Sequence, residues 1–433
     1  MRRVLIVSHS YSPAITPRAF RWSAIAEHWA RQGHHIDVIS SWMPSLPRNE
    51  TVNGVHVYRV GDAITEVLRS KLQKPAITSN VENNPSNSVS SSIKTLAKAV
   101  HDNTWKKVYW PDCACLWYFP AFKKAKQLLK NHDYDSLISV SEPFTGHLVG
   151  LGIQKVIPKI TWLVDIGDPF CFIEYRPTNN HNLYKNLNYA TEKKIFRNAN
   201  AISVTTEATL EKYSELFPES DNKIQVIPPL LSLDASQVNQ GSFFSTSDNK
   251  IKLVFLGTLH KQIRKPDFLL KLFKELLHTH LAEKVELHFV GNINNCQEYF
   301  QSYKDLLNKK IFCHGKLSRT QAFQAMREAD ILVNIGNDAP YQLPSKVVEY
   351  VSMGKPILNL AKIEEDSSMK FFQVYPASLC LVEEPTTPNL HQVANLLQFI
   401  EYAQSVEASK LQDLISPYKL QPITETYEAL VFK

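Results

Sequence analysis

The run PSKVVEYVSMG, residues 344–354, holds the residues best suited to chemistry. Val347, Val348 and Val351 mark one apolar stripe of a helix, while Ser345, Lys346 and Glu349, at i, i+1 and i+4, lie near its other face. A helix start offers unpaired N–H groups and partial positive charge, which suits a phosphate. Lys346 adds a point charge there, and Glu349, one turn deeper, can accept two ribose hydroxyls. The same spacing also describes a solvent-exposed Lys–Glu pair. In VDIGDPF, residues 164–170, Asp165 and Asp168 follow a strand end. A carboxylate there can bind a substrate hydroxyl, assist its deprotonation or close an Asx turn. His147, after SEPFTG, begins a helix beside the same strand ends, and is either a site residue or a core histidine. Glu207, after AISVT, can contact a ligand or cap its helix.

The elements that must position these residues are legible from periodicity. VLIVS (4–8) is a short buried strand. Thr16 caps a helix opened by Pro17, with Trp22, Ile25, Ala26 and Trp29 at i, i+3, i+4 and i+7. Gly33 closes that helix, and IDVIS is the next strand, giving a βαβ opening. A polar Asn/Ser-rich stretch, about 61–110, reads as a variable surface loop. Helices over 120–131, 145–155, 183–198 and 207–216 then alternate with strands over 136–141, 159–165, 201–205 and 224–228. Residues 232–250 are turn-rich and read as a linker. The alternation restarts with strands at 252–257, 285–291, 311–315, 330–336 and 355–360. Leu269, Leu272, Phe273 and Leu276 mark the helix after the first of these. The expected organisation is a first domain over 1–231, a second over 251–410, and a C-terminal helix within 411–433 crossing back to the first. Two doubly wound α/β domains of this kind would face each other across a cleft, with ligands outside the carboxyl ends of the strands.

Composition narrows the function class. The chain has 433 residues, 44% hydrophobic and 21% charged, and no apolar run near the ~18–20 residues of a membrane span. MRRVLIVSHS carries no apolar core and cleavage site of a secretory leader, and six scattered cysteines form no disulfide framework, so a cytoplasmic protein with reduced thiols is expected. Residues 1–130 hold 18 Lys and Arg against 8 Asp and Glu, an excess that suggests an anionic surface or ligand near that half. Trp105, Trp110, Trp117, Tyr118 and Phe119 among Lys106, Lys107, Lys123, Lys124, Lys126 and Lys130 suggest docking at an anionic membrane face, or else core aromatics beside a solvated lysine face. No nucleic-acid signature is present. Strand one is followed by no Gly-x-Gly-x-x-Gly, which argues against a nicotinamide dehydrogenase, and a P-loop is missing as well. No Asp-x-Asp stands at a strand end to hold a metal.

PSKVVEYVSMGKPIL resembles the nucleotide-sugar-binding segment of GT-B glycosyltransferases, specifically the retaining family 4 type. The similarity continues in VLIVSHSYSPAITPRAFRWSAIAEHWARQGHHIDVIS, in ITWLVDIGDPF, in EKKIFRNANAISVTTEATLEKY and in LVFLGTLHKQIRKPDFLL. It implies a GT-B fold and a metal-independent, retaining transferase without cofactor. The sugar would move from a nucleotide-sugar donor to a glycan or lipid-linked acceptor, in cell-surface polysaccharide or glycolipid synthesis, at or near the inner membrane face. The helix start at Ser345 and Lys346 would hold the donor pyrophosphate and Glu349 the ribose. The family's Gly-Arg after the first strand of this domain is here Gly257-Thr258, so Arg264 or Lys265 would supply the missing positive charge. Tyr341 stands where the family has its first glutamate, leaving the sugar contact to Tyr341 or Asp338. Thr16 and Arg18, in the glycine-free loop after strand one, would approach the phosphates, and Glu207 the sugar. Asp168, Asp165 and His147 would flank the acceptor. Two other classes fit the same fold: a non-catalytic nucleotide- or glycan-binding protein, and a nucleotide-sugar epimerase or hydrolase.

Overall fold

A computed structural model describes residues 1–61, 108–173, 177–231, 242–244, 250–337, 340–344, 346–384 and 388–432. Most of the expected variable loop and of the expected linker falls outside these residues. The chain forms two compact units, residues 1–227 with 423–433, and residues 228–422.

The first unit is built on an eight-stranded sheet: β1 (Arg3–Ser8), β2 (His35–Ser41), β3 (Asn49–Val52), β4 (Val55–Val60), β5 (Ser136–Val140), β6 (Thr161–Asp165), β7 (Ala201–Val204) and β8 (Ile224–Val226). Their order is β3-β4-β2-β1-β5-β6-β7-β8, all parallel except β3, which runs antiparallel to β4. Val4 to Val7 and all of β5 are buried, the continuous apolar pattern of strands covered on both faces. The β3–β4 hairpin is not among the strands expected above, although its turn, Asn53-Gly54 with both φ positive, has a local signature.

Helices α1 (Pro17–Arg31), α2 (Tyr118–Asn131), α3 (Thr145–Val156), α4 (His181–Asn198) and α5 (Glu207–Leu216) cover this sheet. In α1 the Thr16 side chain accepts from the Ala19 N–H, and Ala19, Trp22, Ile25, Ala26 and Trp29 are buried as their spacing predicts. Each such large side chain contributes roughly 1.5–3 kcal/mol by leaving water.

The second unit holds β9 (Ile251–Leu256), β10 (Val285–Val290), β11 (Ile311–Gly315), β12 (Ile331–Ile335), β13 (Ile357–Ala361) and β14 (Ser378–Val382). They form a parallel sheet in the order β11-β10-β9-β12-β13-β14. Helix α6 (Asp267–Leu276) packs Leu269, Leu272, Phe273 and Leu276 inward. Helices α7 (Arg319–Glu328), α8 (Lys346–Ser352), α9 (Ser367–Gln373), α10 (Leu390–Tyr402) and α11 (Ala408–Ile415) complete the unit.

The last helix, α12 (Leu420–Val431), packs on the first unit from residue 423 onward. Residues 411–422 stay with the second unit, where the Leu231 N–H donates to the Tyr418 carbonyl, so the crossing begins later than expected. In each sheet the strand order reverses once, beside β1 and β5 in the first unit and beside β9 and β12 in the second. Crevices for ligands form at such reversals.

Candidate functional site

In the second unit glycine directly follows β9, β10 and β12, as Gly257, Gly291 and Gly336. Gly291 has φ +130°, and a Cβ there would lie 1.9 Å from the Gly257 carbonyl oxygen, so the two loops touch backbone to backbone. The loop after β9 is pinched by reciprocal bonds between His260 and Arg264 (2.9 and 2.8 Å), which return the arginine toward its start. One Arg264 Nη then stands 3.6 Å from where a Gly257 Cβ would be, and Nη2 donates to Asn337 Oδ1 at 2.7 Å. The guanidinium thus spans the crevice between the ends of β9 and β12. Its Nε is buried and makes no hydrogen bond. Burial lowers the Arg264 pKa, partly offset by Tyr350 and Asp366, yet a guanidinium remains charged at any working pH. A short reach away, Lys265 lines a small pocket with Phe268, Ile335, Gly336, Lys362 and Glu383.

Helix α8 is fastened to the same crevice by Tyr350, whose hydroxyl accepts from the Leu256 N–H (2.9 Å) and donates to the Leu256 carbonyl (3.1 Å), the last residue of β9. The described helix, Lys346–Ser352, has seven residues, so its dipole is weak and side chains carry most of the charge. Lys346 Nζ lies 3.4 Å from Glu349 Oε2, with the lysine 40% and the glutamate 15% exposed, so the Lys–Glu pair is formed at the helix start. Thr258 is exposed and Tyr341 half-buried. Ser345 and Asp338 lie outside the described residues.

The first unit corrects several expectations. Asp165 is no open acceptor-side carboxylate. Its Oδ1 accepts from Ser203 Oγ (2.7 Å) and Tyr427 Oη (2.8 Å), and its Oδ2 from Trp22 Nε1 (2.8 Å) and Arg18 Nη1 (3.0 Å). Four donors use all four lone-pair directions, so Asp165 ties β6, β7, α1 and α12 together. Burial pushes its pKa up, but Arg18, Arg21 and these donors outweigh that and hold it low.

His147 is likewise interior, not at a crevice. Its Nδ1 lies 2.9 Å from Ser139 Oγ, which also accepts from Trp162 Nε1, and burial lowers its pKa to about 3, so the ring is neutral. Thr16 serves as the cap of α1 and Arg18 as the partner of Asp165, so neither is placed as an unengaged anion ligand. The cap of α5 is Thr206, which leaves Glu207 exposed in the first turn. Arg18 lies against Gly167, where a Cβ would come within 2.3 Å of its Nη2. Beside that contact Asp168 is partly exposed. Of the three expected acceptor-side residues it alone reaches the surface.

Asn337, Gly336 and Asp366 escape the sequence reading. The first two sit in DILVNIGND directly after a recognised strand, and a Gly-Asn pair at a strand end is a readable signal. Asp366 is brought in from 29 residues beyond Asn337 by the fold, and no local pattern marks it.

Residues 250–365 match the family described as Glycosyl transferases group 1, and residues 90–235 match Glycosyltransferase Family 4. The two matches fall on the second and first unit respectively. No curated protein sequence matches the chain. Among solved structures, a glycosyltransferase from Rickettsia africae is similar at 13% identity and TM-score 0.61, over 99% of this chain and 98% of that one. Anabaena HepE in complex with UDP-glucose is similar at 12% identity and TM-score 0.55, over the whole of both chains. WaaG, a glycosyltransferase involved in lipopolysaccharide biosynthesis, follows at 12% and 0.52, over 99% of each. At these identities the likeness is one of fold, and the fold is GT-B.

Proposed function

We propose that this chain, a GT-B glycosyltransferase of group 1, moves a sugar from a nucleotide-sugar donor to a glycan or lipid-linked acceptor with retention at the anomeric carbon. The observation that carries the reading is the Arg264 guanidinium held across the β9–β12 crevice by Asn337. On this reading Arg264, from a longer loop, stands in for the arginine missing at position 258, since a planar guanidinium can grip phosphate oxygens in pairs. Lys265 and Lys346 add charge, and Glu349 takes the ribose hydroxyls once Lys346 turns toward the phosphate. The sugar-nucleotide complex of Anabaena HepE supports a donor of this class.

In the transfer step the bond from the anomeric carbon to the leaving phosphate oxygen breaks. The acceptor hydroxyl oxygen bonds to that carbon on the same face, and its proton passes to the departing phosphate. Charge growing on the phosphate meets Arg264, which Asn337 holds in place before reaction, and Lys265 nearby, so the step as proposed needs no metal ion. Asp168 orients the acceptor hydroxyl. A lipid-linked acceptor would bring the enzyme to the inner membrane face as a peripheral protein. Among the described residues no helix is long and apolar enough to cross a membrane.

A thermal-shift series with UDP-, GDP-, TDP- and ADP-sugars tests the reading. A bound donor at about 100 times its Kd stabilises by about 2.7 kcal/mol. One nucleotide should raise the second unit's melting point, and no shift with any of them sinks the donor assignment. Consumption of that donor without added acceptor would favour an epimerase or hydrolase.

A further inference from the structure

Behind the Arg264–Asn337 bridge lies a carboxyl that the transfer step does not use. Asp366 is fully buried and caps α9: its Oδ1 accepts from the Ser368 N–H (2.7 Å) and Ser368 Oγ (2.6 Å). Its Oδ2 is buried without a hydrogen-bond partner. That oxygen lies against Gly336, where a Cβ would come within 2.1 Å of it. Glycine is therefore needed at the end of β12 to admit the carboxyl, which places its open oxygen just beneath the crevice floor. Ser368 Oγ also contacts Asn359 Oδ1 (3.1 Å), which accepts from Asn334 Nδ2 (2.8 Å). The carboxyl thus closes a buried polar network on β12 and β13. Among the described residues, the charged or titratable groups facing it are Arg264 from the loop after β9 and the Cys380 thiol of β14. The loop after β12 presents the Asn337 N–H.

We propose that Asp366 sets the charge of the diphosphate site, taking up a proton from solvent when a diphosphate binds at Arg264 and returning it on release. The proposal rests on the donor-site reading above. Ionised, Asp366 balances the guanidinium while the crevice holds no anion. A diphosphate on the other side of Arg264 competes for the same positive charge, and two anions around one cation in a dry crevice favour protonation of the buried one. Asp366 is poised for this, since burial raises its pKa to about 6, against the opposing pull of Ser368, Arg264 and Asn337. The proton adds to the unpartnered oxygen, and no other bond changes. Asp366 is a positioning residue and touches no substrate.

Calorimetry of the full chain with UDP, GDP and inorganic pyrophosphate, in buffers of different ionisation enthalpy between pH 5.5 and 8, reads the proton directly. The parent should take up a proton fraction that rises through pH 6, peaks between the free and bound pKa values and then falls, beyond the probe's own titration, and Asp366→Asn should take up none of that excess. The ratio of parent to Asp366→Asn affinity should fall by up to about tenfold per pH unit above pH 6. Ser368→Ala keeps the carboxyl but removes a donor, so it should move the uptake midpoint to higher pH. This second variant decides the matter if Asp366→Asn does not fold. Excess uptake that survives Asp366→Asn, that Asp338→Asn abolishes instead, or whose midpoint ignores Ser368→Ala overturns the proposal while leaving the donor site intact. Failure of every probe to bind the parent overturns the donor-site reading and the proposal together.

Discussion

Arg264 and His147 show how two buried basic side chains reach opposite ends of usefulness. Arg264 is buried along its stem yet turns two nitrogens to the crevice. Arg264→Lys should weaken UDP or GDP binding by about tenfold or more, because an ammonium loses both the bond to Asn337 and the paired grip on phosphate. Calorimetry of the two variants side by side checks this, and Lys binding as well as Arg would remove the guanidinium from the site. If Glu349 holds the ribose as proposed, Glu349→Ala should weaken binding of nucleosides as well as nucleotides.

His147 lies in the interior, where it shapes the acid response. Its folded pKa, about 3, lies below that of an unfolded histidine, so the unfolded chain takes the proton first. Stability is intact above pH 6.5 and declines as pH falls from there toward 3, by roughly 1.4 kcal/mol per pH unit at most. His288 in the second unit, also lowered to about 3 by burial, adds a parallel loss there. Urea midpoints for His147→Gln between pH 6.5 and 5 should be flatter than the parent's, and an unchanged slope would exclude this histidine.

Helix α2 illustrates what an element does with a mixed sequence. Trp117 just before it, and Ala121, Ala125 and Leu128 within it, are buried, whereas Phe119 is 69% exposed. Lys123, Lys126 and Lys130 follow Phe119 on the exposed face, at i+4, i+7 and i+11. Lys124 is set apart, with its ammonium 4.1 Å from the centre of the Tyr58 ring. Trp105, Lys106 and Lys107 of the expected membrane-facing group lie outside the described residues, and among the rest a core part and an outward aromatic–lysine stripe separate. If the stripe docks on anionic lipid, each lysine contributes about 1 kcal/mol. Co-sedimentation with anionic vesicles at low salt should then drop on the triple change of Lys123, Lys126 and Lys130 to Glu, but not on Lys124→Glu. Equal recovery with neutral and anionic vesicles would leave the stripe an ordinary solvated face.

Taken as a whole chain, the first unit is closed by its own C-terminus. Tyr427 accepts from the buried Arg21 (2.8 Å) and donates to Asp165, and Trp29 Nε1 donates to Glu428 (2.8 Å). Tyr427→Phe leaves a buried arginine and carboxylate each one partner short, at a cost of about 1–3 kcal/mol. A chain ending at residue 422 loses the whole set. In calorimetry its first unit should melt far lower or not at all, with the transition of the second unit retained. Two transitions like the parent's would show that the helix is not needed for closure.

The strands and helices with strong periodicity, from β1 and α1 through α6 and β12, were legible because burial on both faces of a parallel sheet forces continuous apolar runs, and a helix stripe forces 3.6-residue spacing. The PSK…E run and the Gly-Thr departure after β9 were legible for a different reason, since they lie within one local segment. Strand β14 is apolar but only five residues long, too short to tell from a helix segment, and the β3–β4 hairpin with its exposed outer strand carries too little apolar pattern to stand out. Beyond reach were the facts that depend on distance along the chain. Asp165 and His147 sit at strand and helix ends like functional groups. Whether such a group faces solvent is decided by residues up to 262 positions away, as Tyr427 is from Asp165. Arg264 meets Asn337 only after β9 and β12 pair, and Asp366 reaches Gly336 only because a glycine leaves room for it. Local sequence sets which groups are available, while the packing of distant elements sets which are desolvated, paired or left open for a ligand.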